Sequence, residues 1–300
     1  MKTTAPLDLH HYRKCRLCPW NCDVDRWGGD LGRCAASARL KVDDYMLHFG
    51  EEACLVGEGG SGAVFFSFCT LRCRFCQTHE ISWRGTGSHI EVERLAEIFL
   101  WLQEEGAENL NLITPGHFLP HIIAAIHEAQ SRGMHLPIVY NTSSFESVEV
   151  LRTLDGIIDI YLPDFKFWRP ETARRLCGAE LYPDVAREAV KEMHRQVGDL
   201  VLDAQGRALR GVLLRHLVLP GHLDESRHIL YWLAKELSVH TYVNVMGSYR
   251  PCHQAKKYPP IDRALSREEF EAVEKCVKES GLYRLDKTHR LLNYLIWSKR

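Results

Sequence analysis

Long hydrophobic runs are missing from this sequence. The longest, residues 63–68, is far too short for the roughly 20 apolar residues a membrane helix needs. The first fourteen residues lack the apolar core of a secretion signal, so a cytoplasmic location is expected. No charge of one sign dominates. The 38 Lys and Arg residues face 39 Asp and Glu, a net charge of −1, and this argues against a nucleic-acid or membrane surface. Internal repeats, low-complexity tracts and long linkers are absent, which excludes solenoids and largely disordered chains.

Against that ordinary background stand 11 cysteines. A chain kept in a reducing compartment is not expected to build a disulfide framework. Seven of the cysteines fall in two tight groups, and clustered cysteines of this kind usually bind metal.

The 300 residues divide into three regions. Residues 1–54 form a Cys-rich, Gly- and Arg-rich extension. Residues 55–250 alternate short apolar runs with amphipathic stretches. Residues 251–300 hold one clear helix and a basic, aromatic tail. In the middle region, apolar runs at 64–67, 109–113, 137–140, 157–162, 212–218 and 241–245 read as strands. Helical patterns at 92–105, 119–131, 147–154, 185–196 and 224–237 lie between them, and residues 199–211 read as a hairpin. Strand–helix alternation of this length predicts an α/β fold, a partial (β/α)6 barrel of TIM type with a Cys-rich N-terminal extension. A doubly wound sheet is the other arrangement this periodicity allows.

Barrel sites sit at the C-terminal ends of the strands, so the residues after each run are the candidates. The first strand end reads FCTLRCRFCQTH, with Cys69, Cys73 and Cys76 spaced C-x3-C-x2-C. Random placement of the cysteines would give only about 0.015 such triplets. Three thiolates can hold a [4Fe–4S] cluster with one iron left open. Structural zinc, with His79 as fourth ligand, is the competing chemistry.

CTLRCRFC, with Phe75 before its last cysteine, resembles the cluster loop of radical S-adenosylmethionine (SAM) enzymes. Within that superfamily, residues 162–167, 213–221 and 243–255 are similar to the group around pyruvate formate-lyase activating enzyme. The resemblance implies a [4Fe–4S] cluster on Cys69, Cys73 and Cys76 and SAM on its open iron. It implies one-electron cleavage of SAM to a 5′-deoxyadenosyl radical, which abstracts hydrogen from a substrate. In the activating-enzyme group the hydrogen comes from a glycine of a partner protein. A small molecule or a peptide is the alternative substrate, and a flavodoxin or ferredoxin is the implied electron donor. Phe75 and Gln77 would lie over the adenine. Asn141, Thr142, Asp164 and Lys166 would contact SAM and a monovalent cation, for which Asn141, Thr142 and Asp164 offer hard oxygens. Read without the resemblance, these are a helix N-cap at Asn141 or Thr142 and a surface salt bridge at Asp164–Lys166.

Arg215 lies within a strand, where arginine is rare unless paired. Its partner is either the SAM carboxylate or a barrel acid such as Asp164. His216, on the opposite face, is expected to pack under a helix. The family's Gly-Gly-Glu segment at the second strand end is replaced by Thr114-Pro115-Gly116-His117, and Thr114 or a carbonyl would take over its contact. A passive zinc or iron–sulfur binding protein is the reading from another class. The lost glutamate favours it, and Lys166 and Arg215 at the barrel mouth oppose it.

Cys15, Cys18, Cys22 and Cys34 form C-x2-C-x3-C-x11-C. So short and glycine-rich a stretch can hardly form a core, and a second metal there would contribute to folding. The spacing leaves zinc and a second cluster both open. Of the scattered cysteines, Cys276 reads as a small buried apolar residue and Cys252 as a candidate to face the site.

Overall fold

The computed structural model describes residues 7–286. The predicted C-terminal tail beyond Asp286 lies outside them. In chain order the elements are β1 (Lys41–His48), α1 (Ala53–Val56), β2 (Ser61–Phe66), β3 (Ser88–His89), α2 (Val92–Glu104), β4 (Leu110–Ile113), α3 (Leu119–Ser131), β5 (Ile138–Thr142) and α4 (Val148–Arg152). Then follow β6 (Ile160–Pro163), α5 (Pro170–Cys177), α6 (Tyr182–Val197), β7 (Val201–Leu202), β8 (Ala208–Leu217), α7 (Leu223–Trp232), β9 (Tyr242–Met246) and α8 (Arg267–Ser280).

Strands β2, β4, β5, β6, β8 and β9 pair parallel in that order. These are the six runs expected from the sequence, and each joins the next through at least one helix. β1 was not anticipated. It pairs antiparallel on the outer side of β2, from Val42↔Phe66 to His48↔Ser61. The hairpin at 199–211 is present as β7 against β8, with Leu202 opposite Ala208.

Alternation along the strands sorts side chains into two layers. Tyr140, Tyr161, Val212 and Leu214 face the helices and belong to the main core with Leu95, Phe99, Ile122, Ile126 and Val190. Val139, Ile160, Leu162 and Leu213 face inward and pack on Cys54 and Leu55 of α1. The short helix α1 therefore plugs the barrel floor with apolar groups. Each aliphatic side chain buried this way contributes about 1.5–3 kcal/mol relative to exposure.

The helices form where the sequence gives them a buried stripe and an end. α2 buries Leu95, Ala96, Phe99 and Leu102 at three- and four-residue spacing. α5 starts on Pro170 and stops at Gly178, whose φ of 72° few other residues adopt cheaply. α8 is closed by a capping box. Ser266 Oγ accepts from Glu269 N at 3.2 Å, and Glu269 Oε2 accepts from Ser266 N at 3.0 Å.

Candidate active site

A cavity of about 400 Å³ opens at the C-terminal ends of the parallel strands, lined in part by Cys69, Cys73 and Cys76. The three cysteines follow β2 on a loop whose backbone turns left-handed at Phe68 and Arg72. The loop is held from several sides. Trp83 Nε1 donates to Cys73 O at 3.0 Å, and Arg74 N donates to Leu176 O at 2.9 Å. The sulfurs have local donors as well. Leu71 N reaches Cys69 Sγ at 3.4 Å, and Ser82 Oγ reaches Cys76 Sγ at 3.1 Å. Burial pushes the Cys69 thiol up to about 11 and Cys73 well above its usual range, while the Lys166 cation pulls both down.

The later strand ends supply polar groups. Gln77, Thr114, Asn141, Thr142, Asp164, Lys166 and Arg215 all line the same cavity, as does Phe75. Phe75 also packs edge-on against Phe167 and Tyr249, so it serves core and cavity together. Lys166 Nζ lies 2.5 Å from Asp164 Oδ2, and both side chains are mostly buried. Desolvation opposes the Lys166 charge, but Asp164 and the nearby thiols of Cys73 and Cys76 outweigh it, and its pKa is raised. This is a buried pair inside the cavity, not the surface salt bridge of the alternative reading. Asn141 and Thr142 do not cap the following helix either, since Ser147 occupies the N-cap of α4.

Arg215 corrects one expectation. Its partners are two acids that sequence reading missed, and Asp164 is not among its side-chain contacts. Arg215 Nε and Nη2 donate to the two carboxylate oxygens of Glu52 at 2.7 and 2.6 Å, and Nη2 also meets Glu51. Asn244 Nδ2 adds 2.6 Å to Glu52, and Asn111 Nδ2 adds 3.1 Å to Glu51. Burial raises the Glu52 pKa, but the Arg215 guanidinium dominates and brings it to about 2. The unpaired arginine in a strand was the one signal that buried acids must exist elsewhere in the chain.

Glu146 was missed too. Its carboxylate accepts from Thr142 Oγ1 at 2.5 Å, and burial pushes its pKa up to about 7. A Cβ on Gly116 would stand 2.8 Å from Glu146 Oε2, so the glycine of Thr114-Pro115-Gly116-His117 makes room for this carboxylate. Thr114 itself sits at φ 57° with its N–H on Asn141 O at 2.9 Å. His117 turns away from the cavity and places Nε2 2.7 Å from Ser67 O. His216 packs under α7 as expected, between Phe165 O at 2.7 Å and Ser226 Oγ at 2.8 Å.

Of the other cysteines, Cys177 is buried and close enough to Cys69 and Cys73 to interact electrostatically, which no spacing foretold. Cys252 does not line the cavity. Its segment folds over the cysteine loop, with Gln254 N on Arg74 O at 2.8 Å and the His253 ring stacked on His79 at 4.7 Å. Cys276 on α8 is half-buried.

Three comparisons bear on this arrangement. Residues 63–232, more than half the chain, match the model of the radical SAM superfamily. An uncharacterised protein of Methanocaldococcus jannaschii is 32% identical over 286 residues, covering 92% of this chain and 76% of that protein. SuiB of Streptococcus suis aligns structurally at a TM-score of 0.50 and 12% identity, over 73% of this chain and 46% of that one. A radical SAM methyltransferase from Sphaerobacter thermophilus aligns at 0.49 and 16% identity, over 72% of this chain and 62% of that one. The chain thus spans less than two thirds of either solved structure.

Proposed function

The chain belongs to the radical SAM superfamily, and we propose that its barrel mouth cleaves SAM reductively and delivers the resulting radical to a hydrogen donor. The observation that carries this reading is one cavity shared by Cys69, Cys73, Cys76, Asp164 and Lys166. Its donor set suits a three-thiolate [4Fe–4S] cluster. Three sulfurs face one space, N–H and O–H groups point at two of them, and a buried ammonium offsets their charge. When bound, the cluster and SAM supply the one-electron chemistry.

This chain's own residues would then bind and orient. Phe75 and Gln77 flank the adenine, and Asn141, Thr142 and Asp164 offer oxygens to SAM or to a monovalent cation beside it. Lys166, locked to Asp164, keeps a fixed positive charge next to Cys73 and Cys76. Thr114 would take over the contact of the missing glutamate, and Glu146 holds Thr142 from behind. Arg215 already has its charge matched by Glu51 and Glu52, which leaves it as the strut of the cavity floor.

The finer reading is activation of a glycyl-radical enzyme, with a glycine of a partner protein as hydrogen donor. It rests on the similarity of residues 162–167, 213–221 and 243–255 to the activating-enzyme group. The test is anaerobic reconstitution, reduction with dithionite and addition of SAM. We expect 5′-deoxyadenosine and a SAM-shifted cluster EPR signal from the wild type, and neither from Cys73→Ala. Absence of both in the wild type, or nucleoside formation by Cys73→Ala, would falsify the assignment. With a glycyl-radical enzyme added, a glycyl doublet supports the finer reading, and nucleoside without any doublet rejects it.

A further inference from the structure

The four cysteines of residues 15–34 take no part in the cavity, yet the fold gathers them and lays them against its cysteine loop. Cys15, Cys18 and Cys34 are buried and Cys22 is half-buried. A Cβ placed on Gly32 would lie 3.4 Å from Cys34 Sγ and 3.7 Å from Cys22 Sγ, so one point lies within contact of both sulfurs. Cys34 also senses Cys15 and Cys22 electrostatically, and Cys18 senses Cys15 and Cys34.

Every one of the four sulfurs has an N–H donor. Arg33 N stands 3.4 Å from Cys22 Sγ, and Arg26 Nη1 stands 3.6 Å from Cys15 Sγ. The main-chain N–H groups of Trp20 and Ala36 serve Cys18 and Cys34. Arg26 is 1% exposed, and carbonyls of Ala36, Ser37 and His117 hold its guanidinium in place. A buried cation and N–H groups aimed at sulfur are what charged thiolates require. Four cysteines are the ligand set of zinc and of a [4Fe–4S] cluster alike, and it is the contact with the other cysteine loop that favours the redox-active group.

The contact with the other cysteine loop is direct. Trp20 Nε1 donates to Thr70 O at 2.7 Å, and Thr70 is bonded to Cys69. The Arg33 guanidinium lies 3.9 Å over the Trp20 ring, and Arg72 Nη1 reaches Arg33 O at 3.5 Å. A path of three residues, one hydrogen bond and Thr70 therefore joins Cys18 to Cys69.

We infer that Cys15, Cys18, Cys22 and Cys34 hold a second, fully cysteine-ligated [4Fe–4S] cluster that passes single electrons to the cluster at Cys69, Cys73 and Cys76. The relay role rests on the SAM-cleaving reading above; the presence of the cluster does not. One electron enters from a low-potential donor of the flavodoxin or ferredoxin class, which is oxidised by one electron. It crosses from the outer cluster to the inner one and ends in the S–C5′ bond of SAM, which breaks to methionine and the nucleoside radical. No proton is consumed in the transfer.

The test begins with metal content. Anaerobically reconstituted wild type is expected to hold about eight irons and eight sulfides per chain and no zinc. Its reduced EPR spectrum should contain two signals, one that shifts with SAM and one that does not. About four irons with one zinc, or a single SAM-responsive signal, overturns the second cluster, and both readouts use the unaltered protein. The double variant Cys18→Ser, Cys34→Ser should lose about half the iron and keep the SAM-responsive signal. Its 5′-deoxyadenosine rate should fall about tenfold or more with flavodoxin as donor and change less than about threefold with dithionite. An equal loss with both reductants, or no loss with flavodoxin, sinks the relay. Should wild type carry both clusters and still form no nucleoside with dithionite, the proposed function fails while the second cluster stands.

Discussion

Arg215 is held by a buried ion pair, with Glu51 and Glu52 at 7% and 0% side-chain exposure. Removing one partner of such a pair leaves charge stranded in low dielectric. Arg215→Met should therefore cost about 3–5 kcal/mol in chemical denaturation. A loss under about 1 kcal/mol would show that the acids find water instead. Gly116 makes a second residue-scale case. Gly116→Ala drives a methyl group into Glu146 and Tyr140 and should cost about 1–3 kcal/mol. Unchanged stability would mean that Glu146 swings aside freely. The buried imidazoles set an acid limit. Burial and the Arg26 charge lower the His117 pKa to about 3 and that of His121 to about 4. The unfolded chain binds protons at these sites below pH 6.5 and the folded chain does not, so stability is intact above 6.5 and declines as pH falls. For His117 the loss at pH 5 is roughly 2 kcal/mol. His117→Gln should thus give a shallower fall in Tm from pH 7 to 5 than wild type, and parallel curves would refute the argument.

At the scale of elements, the legible parts were those with a clean period. The six parallel strands read as apolar runs because both of their faces are buried. Helix α3 occupies the predicted residues 119–131, and α2 ends one residue short of its forecast, ahead of Gly106 at φ 89°. Strand β1 was hidden because it is mostly half-buried, has only the two-residue β3 beyond it, and carries Asp43 and Asp44 in mid-run. Helix α5 was hidden by its length of eight residues and its two arginines. The capping box of α8 gives an element-scale prediction. Ser266→Ala should destabilise by about 1 kcal/mol, read in urea titration, because Glu269 N loses its partner. If the midpoint does not move, another acceptor takes over.

For the whole molecule, the extension and the barrel share one apolar core. Tyr12, Leu17 and Ala36 belong to the same cluster as Leu71, Phe75 and Phe118. Arg26 ties the two regions through His117 O at 2.8 Å, and Tyr12 OH meets His121 Nδ1 at 2.8 Å. A chain lacking residues 1–35 should therefore expose apolar barrel surface and aggregate. Recovery of a soluble, cooperatively unfolding fragment would show the extension to be dispensable. Among the described residues, no helix is long and apolar enough to cross a membrane.

The sequence by itself determined the parallel α/β architecture, both cysteine groups and the polar residues at the strand ends. Spacing and period are local properties, and six successive strand–helix units leave few ways to close. Only the tertiary structure decided who partners whom. Arg215 reaches across 163 residues to Glu52, Glu146 fills the space that Gly116 leaves, and Trp20 joins the two cysteine loops through Thr70. Such pairings depend on which groups share a buried volume. Burial makes each charge or donor find a partner but does not say where in the chain that partner lies.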